Sequence, residues 1–263
     1  MLKLIHGDSL DVLRKLPDSC VDCVVTSPPY AKQREYTGYN ADEFDKFLLP
    51  IMGEVFRVLK PTGNVFVNIK EHCHDGQRSL YVYKLIIALT ENKWRFVDEF
   101  VWQKTNPFPT GSKRRLKDGW ERVYHLTKSK DYKFLPDNAL VQSESKWLAS
   151  EKRRKNKGDH NTNNGSGMNM SRRVVADMVR PSNVVVGSTS NINIDHPAVF
   201  PEYLPEFFIK LTTTEGDVVL DPFAGSGTTG VVCARMGRSF IGIDNHLPYI
   251  ELARSRLHDS STS

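Results

Sequence analysis

The sequence predicts an α/β protein built on a mostly parallel twisted sheet with helices on both faces and an antiparallel edge. Three observations lead there. Short apolar runs rich in Val and Ile recur along the chain, helical patterns separate several of them, and one pair of runs follows with no helix between. The strands expected are Lys3–His6, Val21–Thr26, Asn64–Ile69, Val97–Gln103, Arg122–Thr127, Val218–Leu220 and Ser239–Ile243. Between them, Asp42 can cap a helix whose apolar residues Phe44, Phe47, Leu48, Ile51, Val55 and Leu59 recur at three and four. Lys60-Pro61-Thr62-Gly63 then ends it. A second helix runs from about Leu80 to Glu91 and a third from Gly227 to about Met236. The pair Val97–Gln103 and Arg122–Thr127, having no intervening helix, forms the antiparallel edge.

This rhythm breaks between about Ser129 and Asp195. The stretch holds the charged run Glu151 to Lys157 and then Gly158-Asp159-His160-Asn161-Thr162-Asn163-Asn164-Gly165-Ser166-Gly167, too polar to bury a core of its own. It reads as an insertion, dividing the chain into 1–128, 129–195 and 196–263.

With 263 residues, 39% hydrophobic and 25% charged, the composition is that of a folded soluble protein. No apolar run is long enough to span a bilayer, and MLKLIHGDSL lacks the features of a signal peptide, so a cytoplasmic location is expected. Cys20 and Cys23 form a C-x-x-C, but a closed zinc site needs four ligands and Cys23 falls inside an apolar strand. No metal is expected. Net charge is +5, unevenly placed: Gln103 to Val185 holds 18 Lys and Arg against 8 Asp and Glu, or +10, leaving −5 elsewhere. A polyanion, nucleic acid above all, is the partner such asymmetry favours.

Near the carboxy terminus, Asp221-Pro222-Phe223-Ala224-Gly225-Ser226-Gly227-Thr228-Thr229 follows a strand and opens a helix. Its glycines allow close backbone approach to a ligand, and the helix start offers amides. With no Gly-Lys-Ser/Thr it is not a P-loop. The next strand ends in Asp244, placed to accept both hydroxyls of a ribose. A nucleoside site follows, with NAD and S-adenosylmethionine both candidates. In the first half, Val21–Thr26 ends in Ser27-Pro28-Pro29-Tyr30, where two prolines stop the strand in a rigid corner.

Together these motifs resemble the amino-methylating DNA methyltransferases. Asp221 to Thr229 looks like their cofactor loop, and Ser27-Pro28-Pro29-Tyr30 is similar to their catalytic tetrapeptide. Having the tetrapeptide first matches the circularly permuted, β-type order. His6-Gly7-Asp8, Leu59 to Gly63, Trp102 to Asn106 and His196-Pro197-Ala198-Val199-Phe200-Pro201 extend the likeness over most of the chain. Only the stretch from Ser129 to Asp195 matches nothing nameable, as the family's variable target-recognition region would.

The resemblance implies a catalytic half at 1–128, a target-recognition region at 129–195 and a cofactor half at 196–263. It implies S-adenosylmethionine as cofactor, held by Asp8, Asp221, Phe223, Ala224, Gly225, Ser226, Gly227, Thr228 and Asp244. Asp8 and Asp221 could equally be helix caps, and Phe223 core. The substrate implied is an exocyclic amine on a flipped base in double-stranded DNA. Ser27 Oγ and the Pro28 carbonyl accept the amine protons, Pro29 stiffens the loop, and Tyr30 stacks on the base. Transfer is direct, since no cysteine stands beside a proline as cytosine C5 chemistry would require. Ser in first position, and the absence of lysine from His196–Pro201, resemble the cytosine-N4 enzymes, with adenine N6 the alternative. DNA contacts are expected from Lys113, Arg114, Arg115, Lys117, Lys152, Arg153, Arg154, Lys155, Arg172 and Arg173, mostly to phosphate. The family also leaves room for a cognate restriction endonuclease, while oligomeric state is open.

Overall fold

The computed structural model describes residues 1–30, 44–107, 109, 113–142, 178–189 and 201–261. The elements follow in chain order: β1 (Leu2–His6), α1 (Ser9–Leu13), β2 (Val21–Thr26), α2 (Phe44–Val58), β3 (Leu59–Ile69), β4 (Cys73–His74), β5 (Gln77–Arg78), α3 (Tyr81–Glu91), β6 (Arg95–Lys104) and β7 (Trp120–Thr127). Then come β8 (Val141–Gln142), β9 (Met178–Val179), β10 (Val184–Gly187), α4 (Tyr203–Thr212), β11 (Val218–Asp221), α5 (Thr228–Arg235), β12 (Ser239–Asp244) and α6 (Leu247–Ser261). β4 pairs with β5 and β8 with β9, each as a separate two-stranded ladder.

The other eight strands form one sheet in the order β1-β12-β11-β2-β3-β7-β6-β10. β1, β12, β11, β2 and β3 are mutually parallel. β7 runs antiparallel to both its neighbours, and β10 is parallel to β6. The α/β class, the mostly parallel sheet and the antiparallel pair near one edge are as the sequence predicts. The permutation is visible in the order itself: β11 and β12, from the end of the chain, lie between β1 and β2 from its start.

Strand parity decides which core each side chain joins. Along β2, Val24 enters one cluster with Val65, Val67, Leu220, Ile241 and the buried faces of α1, α2 and α3. Cys23 and Val25 point the other way, with Phe66, Val219, Phe240 and residues of α4 and α5. Val21 breaks the alternation by facing Val24's side, and the β2–β3 register shifts between Val21 and Cys23 to allow it. Continuous apolar runs are what a sheet covered on both faces requires. Phe208 of α4 anchors the second core, stacked on Phe66 at 4.4 Å and edge-on to Phe100 at 5.2 Å.

Three features differ from expectation. The helix expected to include Leu59 and to end at Lys60 to Gly63 stops at Val58, and Leu59 to Gly63 already belong to β3; Asp42, expected to cap that helix, lies outside the described residues. The antiparallel pair is not outermost: Val184–Gly187, which sequence reasoning left without a strand, adds to β6, Val186 aligned with Gln103. Beyond Asp244, where the sequence reading placed no element, Leu247–Ser261 forms the helix α6, which buries Ile250, Ala253 and Leu257. The cysteines are free, and Cys23 is buried, with its thiol pushed up to about 12 by loss of solvent. Among the described residues no metal-ligating cluster exists, and no helix is long and apolar enough to cross a membrane.

Phe208 is fully buried against three aromatic neighbours, Phe66, Phe100 and Phe207. Phe208→Ala is expected to lower stability by about 3–5 kcal/mol, read as the shift in a urea unfolding curve.

Candidate active site

Parallel α/β sheets bind ligands beyond the carboxyl ends of their strands, where the strand order reverses. Here the reversal lies between β2 and β11. From β2 the chain passes through α2 to β3 on one side, and from β11 through α5 to β12 on the other. Cys23 aligns with Val219 and Val24 with Leu220, so Ser27 and Phe223 leave neighbouring strands at the same end of the sheet. The tetrapeptide and the glycine loop therefore flank one crevice.

Asp221, the last residue of β11, joins the two. Its carboxylate accepts from Thr26 Oγ1 at 2.7 Å, Thr229 Oγ1 at 2.9 Å and the Phe223 amide at 3.1 Å. One side chain thus ties the end of β2 to the first turn of α5. Burial outweighs those three donors and pushes its carboxyl up to about 6.

The loop after Asp221 turns through two left-handed glycines, Gly225 at φ 50° and Gly227 at φ 79°. A Cβ on Gly227 would lie 2.7 Å from the Cβ of Ala253 in α6. Ala224, Ser226 and Thr228 are buried, while Phe223 stays partly exposed and packs on Phe47 at 6.0 Å. Asp244 ends β12 with one carboxylate oxygen on the Gly225 amide at 2.9 Å and the other on the His246 amide at 2.8 Å. Each oxygen keeps a further lone pair, so the half-buried carboxylate can still accept from a diol. Asp8 caps α1 through the amides of Leu10 and Asp11, and the Ser9 hydroxyl donates to the Pro222 carbonyl at 2.6 Å. The exposed Asp8 is thereby a helix cap beside the loop. A cleft offering a diol acceptor, an aromatic face and a second carboxylate fits the nucleoside and amino-acid ends of S-adenosylmethionine.

On the other side, Pro28 is buried while Ser27, Pro29 and Tyr30 are partly so. The Ser27 hydroxyl donates to Tyr30 Oη at 3.4 Å. Tyr30 Oη also lies 3.3 Å from Asn68 Oδ1 and 3.1 Å from Glu121 Oε2. Glu121 in turn accepts from Lys104 Nζ at 2.5 Å, and Lys70 pairs with Asp118 at 3.4 Å. Sequence reasoning missed Asn68, Glu121 and Arg256. Glu121 was legible as a lone carboxylate in strand phase with Val123 and His125, both buried. Arg256, on α6, donates to the Ser226 carbonyl at 2.7 Å, to Ser226 Oγ at 3.1 Å and to Thr228 Oγ1 at 3.2 Å, so it clamps the glycine loop.

Of the expected DNA-contacting residues, Lys113, Arg114 and Lys117 are exposed on the β6–β7 connection, at the same end of the sheet as Ser27. Arg115 is partly buried and paired with Asp118 at 2.9 Å. Lys152, Arg153, Arg154, Lys155, Arg172 and Arg173 lie outside the described residues, as does His196 to Phe200.

Two outcomes are expected. An acid with a raised folded value holds its proton more tightly when folded. Asp221 thus contributes less stability as pH rises from its ordinary 3.8 to about 6. Wild-type protein should lose stability relative to Asp221→Asn across that window, measured by urea unfolding at a series of pH values. Gly227→Ala, strained at positive φ and colliding with Ala253, should weaken S-adenosylmethionine binding by about tenfold in calorimetric titration.

Comparison with known proteins identifies the family. The family model N6_N4_Mtase, described as DNA methylase, matches residues 21–255. The Type II methyltransferase M.Cfr9I of Citrobacter freundii is 30% identical over 296 aligned positions, covering 99% of this chain and 89% of that protein. The PvuII DNA methyltransferase (cytosine-N4-specific) superposes with a TM-score of 0.74 at 24% identity, over 99% of this chain and 91% of its own. The M1.HpyAVI–SAM complex does so with a TM-score of 0.64 at 24% identity, over 98% and 99%. The match spans both halves of the crevice, and with it the chain belongs to the N6/N4 DNA methylase family, whose members transfer methyl groups from S-adenosylmethionine.

Proposed function

We propose that this enzyme methylates the N4 amino group of cytosine in double-stranded DNA, acting on a base flipped into the crevice between Ser27 and the glycine loop. The observation that carries the proposal is the meeting of those two motifs at one reversal of strand order, linked through Asp221.

An exocyclic amine is a weak nucleophile because its lone pair is delocalised into the ring. Ser27 Oγ and the Pro28 carbonyl hold the amine hydrogens, which turns the lone pair toward the donor side of the crevice. Pro28 and Pro29 restrict the backbone, so these acceptors are set before the base arrives. Tyr30, its hydroxyl tied to Asn68 and Glu121, presents its ring to the base. Asp244 holds the ribose of the cofactor, Phe223 lies along its middle, and the loop from Ala224 to Thr228 closes around it. Asp8 stands near its polar end. When bound, S-adenosylmethionine supplies an electrophilic methyl group on a sulfonium. Ser27 and Tyr30 carry no charge into the reaction, no thiol nucleophile is required, and one of the two amine hydrogens is released to solvent as a proton once nitrogen carries the methyl.

Cytosine is favoured by serine in first position and by the likeness to the PvuII DNA methyltransferase, which is cytosine-N4-specific. Adenine N6 is the alternative, since a serine hydroxyl accepts from either amine. Lys113, Arg114 and Lys117 would bind phosphate near the crevice, and Lys152, Arg153, Arg154, Lys155, Arg172 and Arg173 are assigned to phosphate by their charge alone. The Type II name of M.Cfr9I supports placing the enzyme in a restriction–modification pair with a cognate endonuclease.

Nucleoside mass spectrometry of DNA from cells expressing the protein should show N4-methylcytosine. N6-methyladenine in its place would assign the alternative, and unmodified DNA would refute both. Ser27→Ala should lower kcat by roughly 10²–10³-fold while cofactor affinity changes little, the loss typical of one preorganised hydrogen-bonding group.

A further inference from the structure

The phenol of Tyr30 meets three polar neighbours, and two of them can only accept. Asn68 is oriented by its own amide nitrogen, which donates to the Arg122 carbonyl at 3.0 Å and leaves Oδ1 toward the phenol at 3.3 Å. Glu121, buried at 7% exposure, has Oε1 on Lys104 Nζ at 2.5 Å and Oε2 on the phenol at 3.1 Å. A phenol carries one proton. Burial, reinforced by the Glu121 charge, raises the Tyr30 pKa well above its ordinary value, so that proton is retained. It is directed at Asn68 and Glu121. The phenol oxygen is left with lone pairs, and the donor facing them is the Ser27 hydroxyl at 3.4 Å. That contact is long, as catalytic hydrogen bonds often are before substrate tightens them.

We infer that Glu121 is a positioning residue which, through Tyr30, fixes the direction of this hydroxyl chain so that Ser27 Oγ faces the target amine as an acceptor only. The inference rests on the reading of Ser27 as the holder of that amine. The chain runs Ser27 to Tyr30 to Glu121, each hydroxyl donating toward the carboxylate. With the Ser27 proton turned away from the crevice, both remaining lone pairs are available to an N–H group. A serine free to rotate would present its proton to the amine lone pair part of the time, an orientation that opposes transfer. Lys104 holds the carboxylate in place without supplying a donor to the phenol. A glutamine in its place could offer N–H to Tyr30, reverse the chain and aim the serine proton at the substrate.

The test is a cycle of Glu121→Gln, Tyr30→Phe and the double variant, with Ser27→Ala as reference. Steady-state methylation of duplex DNA is read beside thermal melting and cofactor titration. Glu121→Gln is expected to lower kcat by about 10²-fold, the cost of a misoriented reacting group, with KM for DNA within about twofold. Tyr30→Phe keeps the ring and should lose a similar factor. The double variant should be no worse than the poorer single one, because both changes break the same chain. Wild-type kcat in Glu121→Gln, a loss confined to KM, or losses that multiply in the double variant would each overturn the inference. If Glu121→Gln does not fold, Tyr30→Phe decides, and wild-type kcat there overturns it. Ser27→Ala inactive beside a fully active Glu121→Gln would remove this role and leave the proposed function standing. A wild-type enzyme that places no methyl on a DNA amine refutes both.

Discussion

The hydrogen bonds that Asp221 receives from Thr26 and Thr229 hold the crevice together. Thr26 ends the strand that delivers Ser27, and Thr229 lies in the first turn of the helix that the glycine loop opens. These positions lie 203 residues apart in a chain of 263. A carboxylate buried at 1% exposure pulls both onto itself, because an unpaired acceptor there would be far costlier than a paired one. Its carboxyl is raised to about 6 in spite of three donors, so part of the folding energy is given up to keep this junction polar. Packing of the remaining parts is arranged around it. Ser9 bonds the Pro222 carbonyl from one side, and Arg256 bonds Ser226 and Thr228 from the other.

The same end of the sheet carries two kinds of electrostatics. Inside, charges are matched: Glu121 with Lys104, Asp118 with Lys70, Arg78 and Arg115, and Glu71 with Arg122. Half-buried ions need such partners, since their desolvation would otherwise exceed any gain. Outside, Lys113 and Lys117 face solvent. The β6–β7 connection therefore joins a neutralised interior to a basic exterior within a few residues.

Most of the sheet could be read from the sequence because its strands are covered on both faces and so appear as unbroken apolar runs. Local motifs with strict backbone demands were equally legible: Pro28-Pro29 at the end of β2, and the positive-φ positions Gly225 and Gly227 after β11. β10 escaped notice because a four-residue edge strand with Val184 and Val186 exposed has no periodic signature distinct from a loop. α6 escaped because its face toward the core is narrow, only Ile250, Ala253 and Leu257 among polar neighbours.

By itself, then, the sequence determined which residues make the tetrapeptide, the glycine loop and the terminal Asp244, since each is a short local pattern with its own conformational cause. Tertiary structure alone decided that Asp221 bridges Thr26 to Thr229, that Arg256 clamps the loop, and that Glu121 and Asn68 meet Tyr30. Those partners come from different strands and helices, and hydrogen bonding between groups distant in sequence leaves no periodic mark along the chain. Only the strand order, which sets β11 beside β2 and β7 beside β3, brings them within reach of one another.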